Sequence, residues 1–400
     1  MKKLYASLTE HERTAVDYMK KLYASLTEYE RTAVDYQTFC SRIIHNKIVA
    51  LKGSSSSVLI GQGLGLRSNS SIGLSSTAAF PDELAKIVAI SKHPNPPHIM
   101  MDLSTVRIST PLYIEIQNRL GCPVGTIPYY ICFDPQRGIN DNELLETIEE
   151  QAKNGIAFMT LHLTANRDLA EKSLARNIPI ISRGGSLLLR DMRINKRREN
   201  ILISNLDRII SILKEHNVAV SIGTTFRPST QYDAMDAAHM AELNMQIELS
   251  EYLKQQGLQV IMEGIGHISF HRIPEYCSIL RGRNYIPFMP LGPIVSDHTH
   301  GQDHITSAVG AAYLASIGGA DIINAVTREE HTGGVPSIHS ILEAIDAANA
   351  VIQIVNESRF PNHFCKRNIH HHNCMGIPNV VGCTRCNTEC PFIWNEENQF

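Results

Sequence analysis

The sequence has no charge imbalance and no basic stripe. Its 37 lysines and arginines stand against 40 aspartates and glutamates in 400 residues, which gives a net charge of -3. A protein that binds the nucleic-acid backbone concentrates lysine and arginine on one face, because every phosphate carries negative charge. The composition therefore predicts no nucleic-acid partner.

The sequence also has no uninterrupted apolar run of membrane-spanning length and no apolar signal core at its start. A transmembrane helix needs about 20 consecutive apolar residues, and a secretory signal has an apolar stretch after its charged first residues. Here Met1–Tyr5 leads at once into charged residues. We expect no membrane partner and a cytoplasmic protein.

Cysteine is scarce along most of the chain. Nine cysteines in a chain of this length are too few for a disulfide-rich scaffold, and four of them are scattered singly. The other five fall in the last tenth of the sequence, at Cys365, Cys374, Cys383, Cys386 and Cys390. Thiols crowded into one short segment indicate a metal site rather than crosslinking.

Residues 1–18 and 19–36 repeat each other with a single change, His11 in the first copy against Tyr29 in the second. Eighteen residues make five turns of α-helix, so the second copy is expected to continue the first as one amphipathic helix. Two copies are too few for a repeat architecture and indicate a recent duplication or an artificial insertion. We interpret residues 1–54 as an N-terminal helical segment.

After a Gly/Ser-rich stretch at 53–76, short β-branched apolar runs alternate with amphipathic segments. The eight runs predict strands at His98–Ser104, Pro123–Pro128, Ala157–Leu163, Ile178–Ser182, Val218–Gly223, Gln259–Gly264, Tyr285–Leu291 and Ala320–Val326. The segments between them predict helices such as Asp141–Asn154, Glu199–His216, Ala234–Gln256, His304–Ile317 and Ser337–Glu357. Eight alternations are typical of one TIM barrel, whereas doubly wound sheets usually have fewer strands. We predict an α/β fold with a (β/α)8 TIM barrel at 55–357 and a small metal-binding tail at 358–400.

In a TIM barrel the chemistry lies at the carboxyl ends of the strands. Ser182-Arg183-Gly184-Gly185 and Arg227 follow two of the predicted strands. The glycines allow backbone N–H groups to approach an anion, and the arginines can pair with it. This pattern predicts a phosphate site.

Three side chains converge from neighbouring predicted strands, Glu263, His267 and His331. Carboxylate and imidazole groups in one place indicate a metal or acid–base site. His162 also ends a predicted strand, although a single histidine in that position is more often structural.

Cys383, Cys386 and Cys390 place three thiols in one tight loop. A four-iron cluster held by three cysteines leaves one iron open for a further ligand, and in radical enzymes this ligand is S-adenosylmethionine. The alternative is a structural zinc site completed by Cys374 or a nearby histidine. The spacing of two residues and then three reverses the commonest radical motif, so spacing alone leaves both interpretations open.

The strand-end strings and the terminal cysteines together resemble the phosphomethylpyrimidine synthase family, the radical S-adenosylmethionine enzymes of thiamine pyrimidine synthesis. The resemblance covers nearly the whole barrel and the tail. Its strings are Met101-Asp102-Leu103-Ser104, Pro123-Val124-Gly125-Thr126, Ser182-Arg183-Gly184-Gly185-Ser186, Met262-Glu263-Gly264, Leu291-Gly292-Pro293 and Asp303-His304-Ile305-Thr306-Ser307.

The resemblance implies a (β/α)8 barrel, a homodimer whose cluster-bearing tail closes over the partner's barrel, and a reductant protein. It implies a [4Fe-4S] cluster on Cys383, Cys386 and Cys390 with S-adenosylmethionine, and a second divalent metal, zinc or iron, on His267 and His331. Pocket positions for the substrate, aminoimidazole ribotide, would be Ser71, Met101, Tyr130, His162, Ser182, Arg183, Gly184, Thr224, Thr225, Phe226, Arg227, Glu263 and Met289. Glu263 and His162 would be catalytic, as hydrogen-bonding or proton-transfer groups.

Three pocket positions depart from the family pattern. The family typically has Gly-Asp-Gly-Leu-Arg-Pro where this chain has Gly223-Thr224-Thr225-Phe226-Arg227-Pro228, an Asn at Ser71 and a Tyr at Met289. A carboxylate, an amide and a phenol are thereby lost at the reacting end, while the phosphate-binding residues remain.

This pattern looks like the 5-hydroxybenzimidazole synthase branch, which converts the same ribotide anaerobically into the lower-ligand precursor of cobamides. In both branches the resemblance implies a 5′-deoxyadenosyl radical that abstracts a ribose hydrogen and starts a rearrangement. We expect 5-hydroxybenzimidazole as the product, with the thiamine pyrimidine as the first alternative. A zinc hydrolase using His267 and His331 and a non-catalytic metal-binding barrel are further alternatives.

Overall fold

The structure is a computed structural model, and it describes residues 9–364. The described residues belong to two compact units, divided between Asn356 and Glu357. The predicted cluster ligands Cys383, Cys386 and Cys390 lie outside the described residues.

The helices are α1 Glu10–Ala24, α2 Glu28–Ala33, α3 Tyr36–Ile44, α4 Phe80–Ser91, α5 Leu112–Leu120, α6 Asp141–Lys153, α7 Arg167–Ser173, α8 Arg183–Ile194, α9 Ile201–Ser204, α10 Leu206–Glu215, α11 Ala237–Gln255, α12 Ile273–Arg281, α13 Asp303–Ser316, α14 Ile338–Arg359 and α15 Pro361–Phe364. The predicted helix over residues 199–216 is divided into α9 and α10. The other four predicted helices correspond to α6, α11, α13 and α14.

The two repeat copies do not form one continuous helix, which corrects the prediction. A capping box starts α2: the backbone N–H of Glu30 donates to the Thr27 hydroxyl, and the Glu30 carboxylate accepts from the backbone N–H of Thr27 at 3.0 Å. Thr9 stands at the matching point before α1. Thr27 and Glu30 thus form a helix-start signal inside the repeat, which helical phase alone does not reveal.

The second copy is bound to the start of the barrel. Glu30 is fully buried, and its Oε1 accepts from the backbone N–H of Gly65 at 2.9 Å and from Arg67 at 2.6 Å. Val34 is buried in a small apolar cluster. Val16, the matching residue of the first copy, is only partly buried. The two copies therefore occupy different environments despite their near identity.

Two antiparallel strands, β1 Ile48–Lys52 and β2 Ser57–Gly61, form a hairpin before the barrel. Asn46 and Gln259 join this hairpin to the start of a barrel strand, through hydrogen bonds from Asn46 Nδ2 to Val260 O and from Ala50 N to Gln259 Oε1. The hairpin therefore packs at the amino-terminal end of that strand, opposite the end where TIM-barrel chemistry occurs.

Eight parallel strands form a nearly closed barrel, which confirms the predicted (β/α)8 TIM barrel. They are β3 Arg67–Ile72, β4 Ile99–Asp102, β5 Val124–Thr126, β6 Phe158–Leu161, β7 Ala219–Ile222, β8 Val260–His267, β9 Phe288–Ile294 and β10 Ile322–Asn324. They are ordered β10-β3-β4-β5-β6-β7-β8-β9. Across the remaining gap between β9 and β10, the backbone N–H of Asp321 donates to Phe288 O at 3.0 Å.

The predicted strand at Ile178–Ser182 is wrong, because this segment is irregular and leads into α8. The strand missing from the prediction is β3, whose sequence Arg-Ser-Asn-Ser-Ser-Ile is mostly polar. Its Asn69 donates to Asn324 Oδ1 at 2.6 Å. A barrel strand that places polar groups inside the lumen lacks the apolar pattern by which strands are recognised.

Helix α14 is the one helix among the described residues that is long and apolar enough to cross a membrane. Its apolar residues pack inward: Ile341, Ala344, Ile345, Ala348 and Val351 are all buried. This burial is typical of a helix that covers a barrel.

Candidate functional site

Glu263 of β8 is held inside the barrel by two hydroxyl groups, one from the adjacent strand β7 and one from the next strand, β6. Thr160 of β6 and Ser221 of β7 donate to its Oε1 at 2.7 and 2.8 Å. Burial raises the pKa of Glu263, while these two donors and the charge of Arg227 lower it. A carboxyl group with a raised pKa and a fixed position can hold or transfer a proton.

His162 lies beyond the end of β6 and is buried. Its Nδ1 is 2.7 Å from the hydroxyl of Tyr129. Burial and, to a smaller extent, the charge of Arg227 lower the pKa of His162 to about 3, and burial raises the pKa of Tyr129 well above its usual range. The phenol therefore keeps its proton and is able to donate it to Nδ1 in a hydrogen bond. The neutral imidazole then carries its proton on Nε2, where it can donate a hydrogen bond.

Ser182 is the N-cap of α8, and its hydroxyl accepts from the backbone N–H of Gly185 at 3.2 Å. The predicted phosphate string therefore forms the first turn of a helix instead of the end of a strand. The N-terminus of a helix carries partial positive charge and unpaired N–H groups, which suits an anion.

The glycines of this first turn are required by close packing. A Cβ on Gly184 would lie 2.5 Å from the Tyr129 hydroxyl and 2.6 Å from Cε1 of His162. A Cβ on Gly185 would lie 2.3 Å from Cγ2 of Thr225. The turn thus packs directly on Tyr129, His162 and Thr225, which follow β5, β6 and β7.

Two arginines at this end of the barrel are available to a ligand. The buried Nε of Arg227 has no hydrogen-bond partner among residues 9–364. Arg183 is exposed, its guanidinium lies 5.7 Å from the centre of the Tyr130 ring, and it forms no ion pair within the described part of the chain. Burial raises the pKa of Tyr130 to about 12, although both arginine charges lower it.

His267 and His331 face each other, with 2.8 Å between their Nε2 atoms. Nδ1 of His267 is 2.6 Å from Asp297, and Nδ1 of His331 is 2.5 Å from Asp303. A carboxylate only accepts hydrogen bonds, so each Nδ1 carries a proton, and in the neutral form of each ring Nε2 presents a lone pair. This carboxylate–histidine arrangement is typical of metal ligands.

The pair therefore fits the second metal that the resemblance implies. No group of three or more histidine, cysteine or acidic side chains in residues 9–364 is placed to hold a metal ion. A metal on these two histidines would take its remaining ligands from water, substrate or cofactor.

The other residues predicted to contact the substrate lie partly on the barrel strands and partly outside the lumen. Met289 lies beside Glu263 in the strand register, and Ser71 lies beside Met101. Thr224 and Thr225 are buried in the loop after β7. The Phe226 ring is fully buried with Leu169 and Ala238 in a separate apolar cluster, so the structure does not place it with the lumen residues.

Several residues that support the site have no role predicted from the sequence: Tyr129, Thr160, Ser221, Asp297 and Asp303. A hydroxyl residue inside an otherwise apolar strand was a signal for Thr160 and Ser221, since alternate strand residues face the lumen. No sequence pattern linked either aspartate to its histidine.

The fold and the site define a TIM-barrel enzyme with a polar lumen, two arginines near a helix N-terminus and a pair of facing histidines. The sequence matches the Radical SAM ThiC family over residues 11–370. The chain belongs to this family.

Three similar proteins share the name phosphomethylpyrimidine synthase. Phosphomethylpyrimidine synthase of Ignicoccus hospitalis is 32% identical over 332 residues, 80% of this chain and 74% of that protein. The enzyme of the same name from Saccharolobus islandicus is 31% identical over 394 residues, 88% and 90% of the two chains, and that of Carboxydothermus hydrogenoformans is 34% identical over 300 residues, 72% and 68%. Among solved structures, dihydropteroate synthase of Xanthomonas albilineans matches with a TM-score of 0.40 at 8% identity, over 76% of this chain and 98% of that chain.

Membership implies a [4Fe-4S] cluster and S-adenosylmethionine. The matched residues end at 370, before Cys383, so the cluster ligands stay a prediction. The names of the relatives support the thiamine alternative better than the expected 5-hydroxybenzimidazole branch.

Proposed function

We propose that this chain is a phosphomethylpyrimidine synthase, which converts 5-aminoimidazole ribotide into the phosphorylated pyrimidine of thiamine. Three relatives with this name support the proposal. The structural observation that carries it is the buried Nε of Arg227, which has no hydrogen-bond partner in the described part of the chain, while the charge of Arg227 acts on both Glu263 and His162.

The phosphate of the ribotide binds at the N-terminus of α8, between Arg227 and Arg183. Arginine pairs with phosphate through charge-assisted hydrogen bonds, and the helix terminus supplies N–H groups to the same anion. The substrate is thereby held by its phosphate with its ring and ribose directed into the lumen.

Two residues act on the substrate in the lumen. His162, neutral and held by Tyr129, donates a hydrogen bond from Nε2. Thr160 and Ser221 both donate to Oε1 of Glu263 and so fix the position of its carboxyl group. In this position Glu263 exchanges a proton with the substrate.

Cys383, Cys386 and Cys390 would hold the cluster, and His267 with His331 would hold a second divalent metal, zinc or iron. When bound, the cluster and S-adenosylmethionine supply the carbon radical that removes a hydrogen atom from the substrate. The second metal supplies a positive charge that orients an oxygen or nitrogen ligand. We place the reaction in the cytoplasm, with an electron-donor protein as reductant.

Synthesis of 5-hydroxybenzimidazole is the second candidate. The observation that favours it is the position of Met289, which lies beside Glu263 in the strand register where the family typically has a tyrosine. A thioether cannot donate the hydrogen bond of a phenol. Ser71 and Thr224 remove two further polar groups of the family pattern.

The product distinguishes the two candidates. The reconstituted protein is incubated anaerobically with aminoimidazole ribotide, S-adenosylmethionine and a chemical reductant, and products are identified by mass spectrometry. We expect the pyrimidine phosphate and 5′-deoxyadenosine, and neither with Cys386→Ala. Fluorescent 5-hydroxybenzimidazole would replace the first candidate with the second, and a failure to form deoxyadenosine would reject both.

We further propose a homodimer in which the tail of one chain closes over the barrel of its partner. Two inactive variants test this arrangement, Arg227→Ala in the barrel and Cys386→Ala in the tail. Mixed and refolded together, they form dimers that contain one intact barrel facing one intact tail, and activity returns. Each variant stays inactive alone. If the mixture is inactive although mixed dimers form, each tail serves its own barrel.

A further inference from the structure

Glu242 is a fully buried carboxylate on α11, outside the lumen. Its Oε1 accepts from the backbone N–H of Thr225 and from the hydroxyl of Thr164, both at 2.6 Å. Its Oε2 accepts from the backbone N–H of Phe226 at 2.7 Å. One side chain thus binds the loop after β7 and the segment after β6.

Gln246 lies one helical turn further along α11 and is also buried. Its Nε2 lies within hydrogen-bonding distance of three backbone carbonyls, those of Ile222 at 3.1 Å, Gly223 at 3.4 Å and Glu263 at 3.0 Å. The amide therefore joins the end of β7 to the middle of β8. Residues four apart share one helix face, so Glu242 and Gln246 present an acceptor and a donor side by side to the barrel.

The other end of the same loop, at Arg227, is also linked to α11 through hydrogen bonds. Arg176 donates to Arg227 O at 3.2 Å, and it pairs with both oxygens of Asp236 at 2.7 Å. Asp236 is the N-cap of α11. The loop from Gly223 to Arg227 is thus fixed to one helix at both ends.

We propose that Glu242 and Gln246 are positioning residues for the reaction, which together set the places of His162 after β6, Arg227 after β7 and Glu263 within β8, three adjacent strands. The proposal rests on the proposed function, because the ligand that these three residues meet is the ribotide. Neither Glu242 nor Gln246 touches the substrate.

Packing alone does not require these residue types. A buried carboxylate loses its hydration, and this loss is offset only when hydrogen bonds replace it. An apolar side chain would join α11 to the barrel without that cost, but it would leave the N–H groups of Thr225 and Phe226 unpaired. A catalytic arginine displaced by about 1 Å can lower activity by about a hundredfold.

The test uses Glu242→Gln, which keeps the size of the side chain and the acceptor at one position. The new NH2 group faces an N–H group of the loop, so the loop shifts. We expect the dissociation constant for aminoimidazole ribotide, measured by calorimetry on the full chain without cofactors, to rise about tenfold or more. Glu248→Gln is the matched control, because Glu248 is exposed on the same helix, and we expect no change.

Gln246→Met provides a second test with a similar volume and no donor, in case Glu242→Gln does not fold. A folded variant with weaker ribotide binding, alongside unchanged binding by Glu248→Gln, supports a positioning role. Wild-type affinity in folded Glu242→Gln or Gln246→Met, even with a lowered melting temperature, overturns it and leaves these residues structural. If the wild-type protein does not bind the ribotide, the result rejects the proposed function itself, and it is thereby distinguished from a failure of the positioning role alone.

Discussion

His267 and His331 direct their Nε2 atoms at each other across 2.8 Å, while an aspartate holds the Nδ1 of each ring. Two lone pairs at this distance repel each other unless a positive charge lies between them. The aspartates fix both tautomers in the metal-binding form.

The first prediction concerns this pair. His331→Ala should abolish binding of one zinc ion per chain, whereas Asp303→Asn should weaken it by about 10- to 100-fold. Zinc content and affinity are measured in a background in which Cys365, Cys374, Cys383, Cys386 and Cys390 are serine, so that the tail cysteines do not contribute. His339→Ala is the control, since His339 is exposed. Equal zinc binding by His331→Ala and wild type would contradict the assignment.

The second prediction concerns the first turn of α8. Gly184→Ala would place a methyl group 2.6 Å from Cε1 of His162, so either the imidazole or the helix must move. We expect ribotide affinity to fall about tenfold or more, measured by calorimetry.

Gly334→Ala is the control for this substitution. The nearest atom to its added Cβ lies 3.4 Å away, which is an ordinary contact. Unchanged affinity in Gly184→Ala would show that the turn does not position the substrate.

The third prediction is a pH dependence of stability. His98 accepts a hydrogen bond from the backbone N–H of Ser68 at 3.1 Å, and burial lowers its pKa to about 4. The unfolded chain binds this proton near pH 6.5 and the folded chain does not, so stability is full above pH 6.5. It falls by about 3 kcal/mol as the pH drops towards 4.

Urea unfolding of wild type and His98→Gln across this pH range tests the assignment. The variant should lose stability less steeply with acid than wild type, because one neutral buried imidazole is gone. Parallel curves for the two proteins would mean that His98 does not contribute the acid sensitivity.

Much of the barrel could be predicted from sequence because apolar strands alternate with amphipathic helices in a regular order. The strand β3 could not, since Asn69 and Ser71 occupy positions where an ordinary strand would be apolar. The segment Ile178–Ser182 gave the opposite error: it is apolar, but it leads into α8.

Some residues of the site could likewise be predicted from sequence, and others could not. Glu263, His162 and Arg227 could be found because each lies near or just after the carboxyl end of a predicted strand, and Glu263 also lies in a family string. Glu242 could not, because it lies in the middle of a helix and its role depends on contacts with a loop 16 and 17 residues away in sequence. Met101 and Asp102 are successive residues of β4, so their side chains lie on opposite faces of the sheet. The carboxylate of Asp102 accepts a hydrogen bond from the backbone N–H of Tyr113 in α5.

The fourth prediction compares the two repeat copies. Val34 is 1% exposed and packs in an apolar cluster, whereas the matching Val16 is only partly buried. Val34→Ala should lower the free energy of unfolding by about 2 kcal/mol, and Val16→Ala by less than about 0.5 kcal/mol. Chemical denaturation measures both. Equal losses would show that the first copy shares the buried environment of the second.

The central claim is that this barrel directs a radical onto the ribose of a bound ribotide. The most direct measurement uses aminoimidazole ribotide with deuterium in the ribose, S-adenosylmethionine and reductant under anaerobic conditions, with mass analysis of the 5′-deoxyadenosine formed. We predict deuterium in the deoxyadenosine from wild type and a marked loss of that product in Arg227→Ala. Deoxyadenosine without deuterium, formed equally in the absence of the ribotide, would contradict the claim.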